Sequence, residues 1–79
     1  MMNYHINLAD ALGANKAMIA LIKTGKLFGS EQGLAEFESA AKYGECEVAR
    51  AIENGNITRL DALQAEKRGA DSVIKEFSR

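Results

Sequence analysis

Between its glycines, this chain repeats apolar residues at intervals of three and four, a spacing typical of α-helix. These intervals predict helices at residues 6–12, 14–24, 31–43, 45–54 and 59–77. Proline is absent and alanine is frequent, which favours helix along the whole chain. The β-branched residues are too scattered to indicate strands. We therefore expect an all-α fold: a compact bundle of four to five short helices in a single domain, residues 1–79.

Capping residues mark several ends of these predicted helices. Gly25 and Gly55 lie where a helix should stop, because glycine adopts the left-handed C′ conformation without steric cost. Ser30 is a predicted N-cap, and Thr58 with Asp61 resembles a capping box that has aspartate in place of glutamate. The segments "ALIKTGKL" and "RAIENGNI" match at a separation of 30 residues. Either two glycine-stopped helix ends look alike, or a helix pair is duplicated.

One small core is expected to hold the helices together. A chain of this size buries only roughly 60% of the surface that it exposes when unfolded, so its stability is marginal and dimerisation is a reasonable addition. Most of the core should come from these apolar side chains: Met18, Ile19, Leu21, Ile22, Leu34, Phe37, Val48, Ile52, Leu63, Ile74 and Phe77.

The last predicted helix carries a row of residues at alternating steps of three and four. We call this row the 60–77 stripe, and its members are Leu60, Leu63, Lys67, Ala70, Ile74 and Phe77. All but Lys67 are apolar, and the spacing is that of a coiled-coil seam. If the stripe continues onto a second copy of the protein, this helix is also a candidate for a homodimer interface.

Composition excludes several classes of function. The only cysteine, Cys46, cannot form an internal disulfide and suits a reducing cytoplasm, where we place the protein. No run of 18 apolar residues exists, so we expect no membrane partner. His5 is the only histidine, and no imidazole or thiol cluster could build a zinc site. We expect no metal, no cofactor, no catalytic residues and no enzymatic activity.

Charge is unevenly distributed, although the formal net charge is only −1. Residues 14–26 contain three lysines and no acid, whereas residues 31–47 are rich in glutamate. The acidic residues are Glu31, Glu36, Glu38, Glu45 and Glu47. They are either ordinary solvated positions or a surface that binds a partner. In the second case the partner is a larger protein with a basic surface.

Residues 33–57, "GLAEFESAAKYGECEVARAIENGNI", resemble an ankyrin-type helix pair. The matching positions are Gly33, Phe37, Ala40, Ala41, Gly44, Glu47 and Val48. The sequence departs from the ankyrin pattern where Ala35 and Glu36 replace the turn-forming Thr-Pro and where Glu38 replaces the histidine. The resemblance implies a protein-binding surface without catalysis.

Residues 5–25, "HINLADALGANKAMIALIKTG", resemble the helix-turn-helix of phage Cro and related repressors. The matching packing positions are Leu8, Ala9, Leu12, Gly13, Ile19 and Ile22. This resemblance implies that residues 14–23 enter the major groove, with Asn15, Lys16 and Lys23 contacting DNA.

Two functions therefore stay open at the level of sequence. The first is a small non-enzymatic protein-binding module, which in size and type resembles phage and mobile-element inhibitors, including anti-CRISPR proteins, that occlude a surface of a larger protein. The alternative is a Cro-like transcriptional regulator that binds DNA as a dimer.

Overall fold

The computed structural model describes residues 3–77, which form three helices joined by two short connections. They are α1 (Tyr4–Lys23), α2 (Glu31–Glu53) and α3 (Arg59–Phe77). The all-α prediction and the helix at 59–77 are confirmed, but the count of four to five helices is wrong. Residues 6–12 and 14–24 belong to one helix, as do residues 31–43 and 45–54. Helix α1 packs against both α3 and α2, whereas α2 and α3 contact each other very little.

Gly13 and Gly44, which separated predicted helices, lie inside continuous helices because they are points of close packing. A Cβ at Gly13 would overlap the backbone carbonyl of Glu66 in α3. A Cβ at Gly44 would lie 3.2 Å from Cδ1 of Leu12 in α1. Gly69 has the same role in α3, where a Cβ would overlap the carbonyl of Asp10. These glycines let neighbouring helices approach closely, so their cost in helix propensity is offset by packing.

Gly25 and Gly55 end α1 and α2 as predicted, with φ angles of +75° and +78°. In both caps the amide after the glycine donates to the carbonyl five residues earlier, at 2.9 Å, which is the Schellman arrangement. The pairs are Lys26 with Leu21 and Asn56 with Ala51. The two matching segments noted in the sequence are therefore two examples of one helix cap.

The N-termini of the helices are capped by side chains. Ser30 accepts a 3.0 Å hydrogen bond from the amide of Gly33, which confirms the predicted cap of α2. Thr58 and Asp61 form the predicted reciprocal box: the Asp61 amide donates to Thr58 Oγ1 and the Thr58 amide donates to Asp61 Oδ2. Helix α1 starts at Tyr4, two residues before the predicted start, and its N-cap Asn3 accepts hydrogen bonds from two amides of the first turn. These caps satisfy amides that have no partner within the helix.

The core consists largely of alanine, so the prediction of a core of large side chains is only partly right. Its buried apolar residues are Ala9, Leu12, Ala17, Leu21, Ala41, Val48, Ala51, Ile57, Ala62 and Ala65. Of the predicted set, Leu21 and Val48 are buried, and the following are half-buried: Met18, Ile19, Ile22, Leu34, Phe37 and Ile52. Leu63, Ile74 and Phe77 are exposed, which contradicts their assignment to the core. Helix α3 instead faces α1 with Ala62, Ala65 and Gly69.

Candidate functional site

Helix α3 exposes four large apolar side chains, all of them in the 60–77 stripe. The exposed fractions are 62% for Leu60, 58% for Leu63, 46% for Ile74 and 45% for Phe77. Single exposed apolar residues are ordinary on soluble proteins, whereas four of them at helical spacing on one side of a helix indicate an interaction surface. Lys67 and the half-buried Ala70 separate the pair Leu60 and Leu63 from the pair Ile74 and Phe77. The stripe is therefore the strongest candidate for a binding surface among the residues described.

The stripe is exposed because α3 packs on α1 through a different side. Ala62 and Gly69 face α1, and each is followed directly by a stripe residue, Leu63 and Ala70. Consecutive residues of an α-helix are about 100° apart around its axis, so the stripe lies beside the α1 contact. Since α2 barely contacts α3, it does not cover the stripe either.

The predicted acidic surface is distributed over two sides of α2. Glu31, Glu38 and Glu45 are spaced by seven residues and share one side, whereas Glu36 and Glu47, eleven residues apart, share another. Glu47 is half-buried and the other four are exposed. The structure thus does not bring the five carboxylates together on one face, and their binding to a basic partner stays a prediction.

Two of these carboxylates are ion-paired with lysines of α1. Lys23 Nζ lies 3.1 Å from Glu38 Oε2, and Lys16 Nζ lies 2.7 Å from Glu45 Oε1. Lys16 also donates to Glu66 Oε1 of α3 at 3.2 Å, so one ammonium joins all three helices. The hydrogen bond to Glu45 raises the pKa of Lys16, partial burial opposes this shift, and the hydrogen bond and charge of Glu66 add to it.

We expect the Lys16→Met variant to lose little stability, about 1 kcal/mol or less, because Lys16 and Glu45 are substantially exposed to solvent and Glu66 is only half-buried. The raised pKa means that the lysine's contribution is fully present below the ordinary value of 10.5 and is lost as the pH rises through the folded-state pKa. Urea titrations of the wild type and Lys16→Met at neutral and alkaline pH, and at two salt concentrations, measure the difference between their free energies of unfolding. If that difference grows at alkaline pH, the stabilising role of the charged Lys16 is contradicted.

The residues of the DNA-binding interpretation lie on one unbroken helix. Residues 5–23 belong to α1, so the turn that a helix-turn-helix requires at Gly13 is not formed. Asn15 is half-buried, and Lys16 and Lys23 are engaged with glutamates. The ankyrin-like segment is likewise one helix through Gly44 where the resemblance implied two.

The described part of the chain shows no cluster of metal-ligating side chains and no enclosed pocket. Cys46 is exposed on α2. Within residues 3–77, none of the helices has both the length and the apolar character needed to span a bilayer.

Comparisons with protein-family models, with curated proteins and with solved structures give no match to this chain.

Proposed function

We propose that this chain is a small protein-binding module and that the 60–77 stripe is its contact surface. One observation supports this proposal most directly: Leu60, Leu63, Ile74 and Phe77 are each 45–62% exposed on the same side of one helix. Covering such side chains gains roughly 25 cal/mol for each Å² of apolar surface removed from water. A partner that covers the stripe removes this surface from water, whereas the isolated chain leaves it hydrated.

The spacing of the stripe indicates the shape of what it binds. Anchors at steps of three and four along a helix fit either an apolar groove or the apolar side of another helix. The proposed role is to bind a protein partner through the stripe in the cytoplasm, without catalysis, and that partner is either a different protein or a second copy of this chain. An inhibitor that works by occlusion, of the size found among phage and mobile-element proteins, is one form of this role.

The proposal is tested by substituting a charge into the stripe. Leu63→Glu is expected to abolish capture of a specific partner by affinity purification from the organism that encodes the chain, because the charge must be desolvated in the interface. Tyr43→Glu on α2 is a matched control, since Tyr43 is 62% exposed and also lies in the middle of a helix. Both variants should retain the helical circular dichroism of the wild type.

Equal capture by the wild type and Leu63→Glu would show that the stripe is not the contact surface. Loss of capture with Tyr43→Glu alone would place the contact on α2, where the predicted acidic residues lie.

A further inference from the structure

The 60–77 stripe fits itself when two copies of α3 are placed antiparallel. In one register Leu60 lies opposite Phe77 of the second copy, and Leu63 lies opposite Ile74. In the same register Lys67 lies opposite Ala70. Every stripe position is then matched, and each pair occurs twice, as a two-fold axis requires.

Lys67 decides between the antiparallel and the parallel arrangement. In a parallel pair the two Lys67 residues would face each other at the centre of the seam, and like charges at such positions repel. In the antiparallel pair the long side chain of Lys67 lies over the small Ala70. This leaves space for its aliphatic part on the seam and for its ammonium at the edge.

Charge complementarity supports the same register. Asp71 follows Ala70 and lies at the edge of the stripe, so Lys67 of one copy can reach Asp71 of the other, and the pair is repeated by symmetry. Both residues are exposed, and neither forms an ion pair with another residue in the range 3–77. The edge nearer α1 carries Glu66, which is already engaged with Lys16.

We infer that the occupant of the 60–77 stripe is a second copy of this chain, bound antiparallel through α3 with Lys67 paired to Asp71 of the other copy. This inference rests on the proposed role of the stripe as a protein-binding surface and names its partner. Ala62, Ala65 and Gly69 remain against α1 in this dimer, so the contact within each copy is retained.

Sedimentation velocity of the full chain over a range of concentrations tests the association. A concentration-dependent monomer–dimer equilibrium is expected for the wild type. Leu63→Glu should raise the dissociation constant at least about tenfold, whereas Tyr43→Glu should leave it unchanged. Lys67→Glu and Asp71→Lys should each weaken the dimer, and the double variant with both changes should restore it.

Cross-linking tests the direction of the helices. In a Cys46→Ser background, a mixture of the Leu60→Cys and Phe77→Cys variants should form mixed disulfide dimers. Leu60→Cys alone should form few, because its two thiols lie at opposite ends of the antiparallel seam. Efficient disulfide formation by Leu60→Cys alone would show a parallel pair and overturn the inference.

Three other results would also overturn the inference: a wild type that stays monomeric at every concentration, a dimer insensitive to Leu63→Glu, or a double variant as weak as its parents. A monomeric wild type whose capture of another protein still depends on Leu63 would overturn the second-copy inference alone and leave the proposed function standing. A monomeric wild type that captures another protein no better than Leu63→Glu does would overturn both the second-copy inference and the proposed function.

Discussion

Replacing Gly69 by alanine is expected to remove much of the stability of this protein. The added Cβ would overlap the carbonyl of Asp10 and lie 2.9 Å from the backbone nitrogen of Ala14. Both obstacles are backbone atoms, so no change of rotamer relieves the overlap and the two helices must separate. Overpacking of this kind costs typically about 1–3 kcal/mol and occasionally more, and we expect the upper end. Domains of this size have a free energy of unfolding of only about 5–10 kcal/mol.

The sign of this effect distinguishes packing from helix propensity. Alanine is favoured over glycine by about 1 kcal/mol inside a helix, so a solvent-exposed Gly69 would give a more stable variant. Gly44→Ala is the matched control, because that glycine is also buried within a helix but its added Cβ would meet side-chain atoms of Leu12 and not backbone. Its free energy of unfolding should change by no more than about 1 kcal/mol. Urea titration followed by circular dichroism, at one fixed protein concentration, measures both variants.

A Gly69→Ala protein as stable as the wild type would show that α1 and α3 do not approach closely at this point. A double substitution, Gly13→Ala with Gly69→Ala, should leave no cooperative unfolding transition, because it blocks the contact on both helices.

The second large effect is expected for Leu12→Ala. Leu12 is 2% exposed and joins the core cluster, with its side chain against Gly44 of α2. Removing a buried leucine side chain costs about 2–4 kcal/mol, from lost transfer free energy and from the cavity that remains. The denaturant midpoint should fall while the slope of the transition stays the same.

Phe28→Ala provides the comparison for Leu12→Ala. The substitution removes a larger side chain than Leu12→Ala does. Because Phe28 is 99% exposed, the free energy of unfolding of the Phe28→Ala protein should differ from that of the wild type by less than about 0.5 kcal/mol. Equal losses for the two variants would contradict the assignment of Leu12 to the core. Gly44→Ala should also be more favourable in the Leu12→Ala background than in the wild type, because its methyl group enters the space that leucine leaves.

Helix α3 could be predicted from sequence alone because its signals are local. Thr58 and Asp61 mark its start, and the 60–77 stripe gives its period over the whole length. The same stripe also predicts a possible homodimer surface. Periodicity shows that a helix has an apolar side, but not whether that side meets its own chain or another molecule. For this reason the sequence pattern predicts Leu63, Ile74 and Phe77 in the core, whereas the structure exposes them.

The two wrong helix boundaries have a different cause. A glycine that ends a helix and a glycine that lets two helices touch are the same residue in a sequence, and only the neighbouring helix distinguishes them. A local signal was nevertheless present at the true ends. Gly25 and Gly55 each follow threonine or asparagine and precede a polar residue and then a large aliphatic one, as in "TGKL" and "NGNI", whereas Gly13 and Gly44 lie in "LGAN" and "YGEC".

The placement of the acidic residues depended on the same error. A helix boundary at Gly44 leaves the relative orientation of Glu38 and Glu45 undefined. One continuous α2 places them seven residues apart on one side, where lysines of α1 can reach both. The partners of Lys16 come from positions 45 and 66, and contacts this distant in the chain leave no local signal in the sequence.

The contact of α1 with α3 determines how rigidly the two helices are held. Leucine or methionine side chains lose rotamer freedom when they are ordered, whereas the buried alanines and glycines of this contact have no rotamers to lose. For the same reason they cannot adjust to a displaced neighbour by moving a side chain. We therefore expect the two helices to behave as one stiff unit, which presents the outer side of α3 in a fixed shape and spares a bound molecule the entropic penalty of ordering it.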